Sequence, residues 1–383
     1  MKHYNFLTYI FLILVCISCA VGDGDDDDNS TEPPTAGPPS TETQTSFTLT
    51  ASTDENGAAT VNFGVAPGVN KFSITADPNN TSSQVRFASL TDSNGTDYIQ
   101  SGPSSLSLAD NFGSFVKTAV VPPRNVEPTA SSNVTYTATL QNSSRAGGET
   151  ISVRIDGSTD SDLESGGLTL NIFFVGDAAL SQNDQTAISS AINTASATFS
   201  SAGISGLRVN TFSIGGPINL PSPLAGSSLY SDATNAAPSP SVNIFIGGSV
   251  GGAGILGFAA DIPGAPFPSE RSVTAVSIFE SAGPDGVFSE IDTRLLGETI
   301  VHEAGHFMGL FHPIDFSGVS VQFTDPLDDT ASCSFITECL SNSDLIRNFM
   351  YPSPVSDGAG SFVEQNIVTS NQRSVLNRYL AVD

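Results

Sequence analysis

The sequence predicts a mixed architecture: an N-terminal all-β sandwich over residues 46–157, then an α/β domain over 168–383. Three observations carry this. Through the first segment, apolar residues alternate with polar ones, the period of strands with one buried face. From Leu168 the pattern becomes a continuous apolar run followed by a helix-period stretch, as a buried central strand and its covering helix require. Between the two, Ser-Thr-Asp-Ser-Asp opens a polar linker over 158–167.

Taken in order, the chain begins with Lys2 and His3 before an apolar run from Phe6 to Ile17, broken only by Thr8 and Tyr9. That run suits a signal-peptide core (1–18) and is too short to cross a bilayer. It ends in Cys16-Ile17-Ser18-Cys19-Ala20, which resembles a bacterial lipoprotein signal with Cys19 as the lipidated first residue. An ordinary cleaved signal is the other reading. Five aspartates between Asp23 and Asp28, then a Ser/Thr/Pro-rich stretch, predict an extended tether over 19–45, or a plain solvated tail. Together these predict an exported protein, lipid-anchored on a bacterial membrane at the outer membrane or cell surface, and secreted if Cys19 carries no lipid.

Strands of the sandwich are read from Phe47, Leu49 and Ala51; from Val61, Phe63 and Val65; from Val134, Tyr136, Ala138 and Leu140; and from Ile151, Val153 and Ile155. In the second half, Leu168–Val175 is the continuous strand. Ser181 with Asp184 resembles a capping box, followed by Ile188, Ile192, Ala195 and Phe199 on one helix face. Strand signals return at Leu207–Ile214, Val242–Ile246, Ile255–Ala260 and Val273–Phe279. Helix-period stretches cover about 292–309 and 369–380.

Charge narrows the partners. Lys+Arg number 13 against 39 Asp+Glu, a net −26, and that field repels phosphate backbones, so no nucleic-acid partner is expected. Cys333 and Cys339 are the cysteines left once Cys16 and Cys19 are assigned to the signal and its lipid. In an oxidising compartment they either close a small disulfide loop or stand as two free thiols.

Residues 302–312 read His-Glu-Ala-Gly-His-Phe-Met-Gly-Leu-Phe-His. On a helix, His302 and His306 leave the same face and can share one metal ion. Gly309 lets the chain leave the helix, and His312 returns as a third ligand. Three nitrogen ligands leave Zn²⁺ one position for water, the arrangement of a catalytic zinc. Glu303 stands beside that position as the base that activates the zinc-bound water. The chain has 4 histidines, and all but His3 lie in this motif, which argues against scattered surface histidines.

The extended motif resembles the metzincin clan of zinc endopeptidases. Asn348-Phe349-Met350-Tyr351-Pro352 is similar to the clan's Met-turn, which implies Met350 as an apolar floor beneath the metal. The order of strands and helices over roughly 167–383 agrees with the clan. Within it the chain is most like the pappalysin-like family. Leu256-Gly257-Phe258-Ala259, then Pro263, resembles that family's edge strand, which implies Gly257, Phe258 and Ala259 as the backbone that binds substrate. The segment Asp325-Pro326-Leu327-Asp328-Asp329-Thr330 with Cys333 and Cys339 is similar to that family's approach to the Met-turn. Pro313 is more like the serralysins, and Met350-Tyr351-Pro352 more like the matrixins. Asp325, Asp328 and Asp329 offer clustered carboxylates to a Ca²⁺ ion, which the resemblance favours; a solvated acidic loop is the other reading.

The expected function is zinc-dependent hydrolysis of peptide bonds in extracytoplasmic proteins. Two other readings remain: an adhesion protein with a silent zinc site, and a glycan- or protein-binding sandwich with the peptidase as accessory. The sandwich also fits a spacer or an inhibitory pro-domain.

Overall fold

The computed structural model describes residues 45–383 apart from 81, 100–114, 123–133, 144–146, 177–181, 253, 283–286 and 383. The signal, Cys19, most of the tether and Ser181 therefore lie outside the described residues. Alternation in the first half produces antiparallel strands: β1 (Thr45–Ser52), β2 (Ala58–Gly64), β3 (Lys71–Pro78), β4 (Val85–Asp92), β5 (Lys117–Val121), β6 (Thr135–Asn142) and β7 (Thr150–Ser158). They form one sheet in the order β1-β7-β3-β5 and another in the order β2-β6-β4. Val61, Phe63, Ile74, Leu90, Leu140, Val153 and Ile155 from both sheets share one core. Phe63 and Phe72 pack around Tyr136, with ring centroids 5.4 and 4.9 Å from its own, a separation at which aromatic pairs attract beyond their buried area.

Strands β3 and β5 have no clean alternation because both of their faces are covered. Every residue of β5 is buried although it sits at a sheet edge. Ala119 and Val121 face the sandwich core, and Val120 packs into the core of the second half.

That second half begins with β8 (Gly166–Val175) and continues with α1 (Gln182–Ser201), β9 (Ile204–Ile214), β10 (Asn219–Leu220) and α2 (Ser228–Asn235). Next come β11 (Val242–Gly247), β12 (Ser249–Val250), β13 (Gly257–Ala259), β14 (Thr274–Ser277), α3 (Ile278–Ala282) and α4 (Glu290–Phe307). The chain ends with β15 (Ile314–Ser317), β16 (Ser320–Thr324), α5 (Ile336–Ser341), α6 (Ser343–Ile346) and α7 (Ser370–Arg378). A five-stranded sheet runs β13-β14-β11-β8-β9, parallel except for β13, which is antiparallel to β14 at the edge.

The helices α1 and α4 pack together over one face of this sheet. Ile188, Ala195 and Phe199 of α1 and Leu296, Ile300, Val301 and Phe307 of α4 join Leu170, Ile172 and Ile244 in its core. Each Val, Leu, Ile or Phe side chain among these, fully buried, contributes about 1.5–3 kcal/mol. The helices meet closely at Gly297, where a Cβ would come within 2.5 Å of the Ala191 carbonyl oxygen.

Helix α4 starts two residues earlier than its apolar period suggests. The Ser289 hydroxyl accepts the Asp292 N–H at 3.2 Å, and the Asp292 carboxylate accepts the Ser289 N–H at 2.9 Å, a reciprocal cap. The expected strand 273–279 stops at Ser277. There the Ser277 hydroxyl accepts the Glu280 N–H at 3.2 Å, and a short helix follows with Phe279 half exposed.

Candidate metal centre

Helical spacing places His302 and His306 on one face of α4, and the chain then turns at Gly309 with φ of 112°. That left-handed geometry favours glycine. It brings His312 back over the helix, so that its Nε2 lies 3.2 Å from Nε2 of His302 and 3.0 Å from Nε2 of His306. Among the described residues, these three form the one group of His, Cys, Asp or Glu gathered closely enough to hold a metal ion.

The other ring nitrogens decide which way the lone pairs point. Nδ1 of His302 lies 2.9 Å from the Phe349 carbonyl and Nδ1 of His306 lies 2.7 Å from the Leu310 carbonyl. A carbonyl only accepts, so both Nδ1 atoms donate, and each Nε2 of the neutral ring presents a bare lone pair. Nδ1 of His312 lies 2.8 Å from the Asp315 carboxylate, which orients that ring in the same sense. Protonation does not relieve the crowding. Burial, with the neighbouring His312 adding to it, pushes the His302 pKa down to about 3 and holds that of His306 well below 6.5.

Three converging lone pairs call for a cation between them. Tetrahedral coordination with Zn–N near 2.0–2.1 Å separates ligand nitrogens by about 3.3 Å, close to the spacing found here. The donor set and its three oriented Nδ1 atoms thus fit zinc.

The turn beneath the helix holds the site from below. Met350 is fully buried, and its sulfur would meet a Cβ on Gly305 at 2.5 Å, which requires glycine between His302 and His306. Phe349, next to it, supplies the carbonyl that orients His302. Asn348 accepts the Met350 N–H at 2.9 Å and exchanges two amide hydrogen bonds, of 3.0 and 2.9 Å, with the fully buried Gln372 of α7. Tyr351 packs with Ile314, Cys339 and Leu345, and burial raises its pKa above 10.

Glu303 is buried between α4 and β13. Desolvation pushes its carboxyl up to about 8, against a pull in the other direction from a hydrogen bond with the Ala259 backbone. A Cβ on Gly257 would come within 2.5 Å of Glu303 Cγ and 2.7 Å of its Oε1, so the strand passes hard against the carboxylate at this glycine. The segment Gly257–Ala259 is thus an edge strand that touches Glu303.

No protein-family model matches the sequence, and no curated protein matches it. Among solved structures, metalloproteinase-II from Bacteroides fragilis is similar over 39% of this chain and 44% of its own, at 13% identity and a TM-score of 0.27. The match therefore spans less than half the length of that chain.

Not every expected site residue gathers. The described residues hold no cluster of Asp325, Asp328 and Asp329 at metal-ligating distance. Asp325 instead accepts the Thr330 hydroxyl at 2.5 Å and the Leu327 N–H at 3.2 Å, and Asp329 accepts the Asn371 N–H at 2.8 Å. Those carboxylates brace the loop against itself and against α7, and the Ca²⁺ expectation finds no support. Cys333 and Cys339 are joined in a disulfide. Sequence reasoning missed Asp315 and Gln372, and named Asn348 only as part of the turn motif without its bracing role. The nearest signal was an aspartate three residues after His312; nothing local in sequence links Asn348 to Gln372.

Proposed function

We propose that the chain is a zinc-dependent endopeptidase of metzincin type, with its peptidase domain over 168–383. The observation that carries this reading is the Nε2 of His312 lying 3.2 and 3.0 Å from those of His302 and His306, all three within 4.8 Å of one another, beside a buried carboxylate that touches an edge strand. A zinc ion there would supply Lewis acidity toward a peptide carbonyl and an acidified water. His302, His306 and His312 would hold it, each oriented by its own Nδ1 partner. A peptide adds as a strand along β13, whose outer edge pairs with no other described strand. Glu303 takes a proton from the attacking water and passes it to the leaving amine. The pappalysin-like reading rests on the Gly257–Ala259 strand and the stretch from Asp325 to Met350. Export, the lipid on Cys19 and extracytoplasmic substrates rest on residues 1–45.

Cleavage-site profiling of purified residues 46–383 against a peptide library tests this. Cuts that vanish with a zinc chelator and return with zinc are expected. A folded, zinc-loaded protein that cuts nothing would instead support the silent-site reading.

A further inference from the structure

The chain has three lysines: Lys2, Lys71 and Lys117. Lysine is almost never fully buried without a partner, yet Lys71 is 0% exposed and Lys117 3%. Each is the first residue of a strand in the sheet β1-β7-β3-β5, and each reaches out of the sandwich. Lys71 donates from Nζ to Asp160 Oδ2 at 2.8 Å and to the Val382 carbonyl. Lys117 Nζ lies 3.7 Å from Asp261 Oδ1 and 3.5 Å from the Ile262 carbonyl oxygen. The only lysines after Lys2 are thus spent on the junction between the two halves.

The position of Asp261 gives the Lys117 contact its meaning, because it lies two residues beyond Ala259, where β13 ends. The intervening chain is pinned. Ala260 donates to the Val273 carbonyl at 3.1 Å, which continues the pairing with β14. Gly264 donates to the Phe307 carbonyl at 2.8 Å, and the Tyr379 hydroxyl donates to the Gly264 carbonyl at 3.0 Å. A Cβ on Gly264 would come within 2.1 Å of the Phe307 ring, and Phe307 follows the ligand His306 directly. Arg154 of β7 adds a contact from the sandwich, 3.7 Å over the Phe267 ring. The segment that leaves the edge strand is therefore wedged between α4, the end of α7 and the sandwich.

We propose that the sandwich is a fixed part of the peptidase, and that Lys117 is a positioning residue for β13, acting through Asp261 and Ile262. The inference rests on the reading of β13 as the substrate strand. A peptide bound by strand addition takes its register and affinity from the backbone it pairs with. A support that holds one end of that backbone then governs how well the peptide binds. On this proposal the sandwich is not a removable pro-domain, since its departure would take Lys117 from a buried aspartate and uncover Val120.

Two measurements on the full chain test the proposal. In the first, native protein is acetylated with an amine-reactive ester and mapped by mass spectrometry. Lys71 and Lys117 should stay unmodified until denaturant is added, and native modification of Lys117 would overturn the fixed junction. The second compares peptide kinetics of Lys117→Met, Lys117→Met/Asp261→Asn and Lys71→Met. The double variant leaves no charge unpaired and keeps the pair testable should the single variant fail to fold. It should retain one zinc per chain and raise KM about tenfold with kcat within about twofold, the signature of lost binding rather than lost chemistry. Lys71→Met should keep the parent KM. A folded double variant with the parent KM, or a gain in activity on proteolytic loss of 46–157, would overturn the role. If the parent itself cuts no peptide, the peptidase reading fails and the positioning role falls with it, while acetylation still decides whether the sandwich is fixed.

Discussion

At the scale of single residues, the proposed function assigns the metal to His302, His306 and His312 and proton transfer to Glu303, and substitution should separate the two roles. Glu303→Gln keeps the shape and the contact with Ala259 but removes the base. Zinc content should stay near one per chain while peptide hydrolysis falls at least ~10²-fold. His306→Ala should lose the metal itself, since two histidines and water rarely hold zinc tightly. Metal analysis beside activity distinguishes the two, and a Glu303→Gln enzyme as fast as its parent would refute the assigned base. Asp315 offers a finer test. Its carboxylate touches Nδ1 of His312 and no other ligand ring, so Asp315→Asn should weaken zinc affinity by about 10- to 100-fold. Competition with a chromophoric chelator measures that; unchanged affinity would mean that the His312 ring is set by packing alone.

At the scale of elements, helix α4 carries a buried acid outside the site. Glu298 is 5% exposed, and its Oε1 accepts the Gln365 N–H at 3.1 Å and lies 3.4 Å from Arg294 Nη1. Desolvation raises its pKa, reinforced by Glu364 and opposed by Gln365 and Arg294. The folded state therefore holds this proton more tightly than the unfolded chain does. Stability from that source is complete below the ordinary value of 4.5 and declines as pH rises through the raised one. Glu298→Gln should flatten the decline, so denaturant midpoints measured above that window should favour the variant, and equal midpoints would count against the burial argument. The disulfide between Cys333 and Cys339 closes a short loop before the Met350 turn. Its loss in Cys333→Ser/Cys339→Ser should lower stability by about 2 kcal/mol without moving zinc content. Legibility from sequence followed exposure and locality. Strands with one wet face, such as β2 and β6, kept a readable period, while β3 and β5, covered on both sides, did not. The three histidines were legible because 11 residues of chain contain them all. The Asn348–Gln372 pair was not, because it is a tertiary contact between groups 24 residues apart.

At the scale of the whole molecule, a net charge of −26 sets a background of self-repulsion against which the junction has to hold. Exposed charges are screened beyond ~10 Å at 0.1 M salt, whereas buried pairs are screened far less. Lys71 and Asp160 belong to the second kind, with side chains 0% and 8% exposed. Removing one partner of such a pair leaves a buried charge and costs about 3–5 kcal/mol. Because Lys71 also reaches the Val382 carbonyl beside β8, and Val120 sits in the core around that strand, the loss should be felt by both halves at once. Lys71→Met should therefore shift one shared unfolding transition, seen alike by far-ultraviolet circular dichroism and by tyrosine fluorescence. The shift should persist between about 0.1 and 1 M NaCl, where surface repulsion is already screened. Two separated transitions in the parent would show that the halves fold independently, and a penalty that vanished in salt would place the pair at the surface.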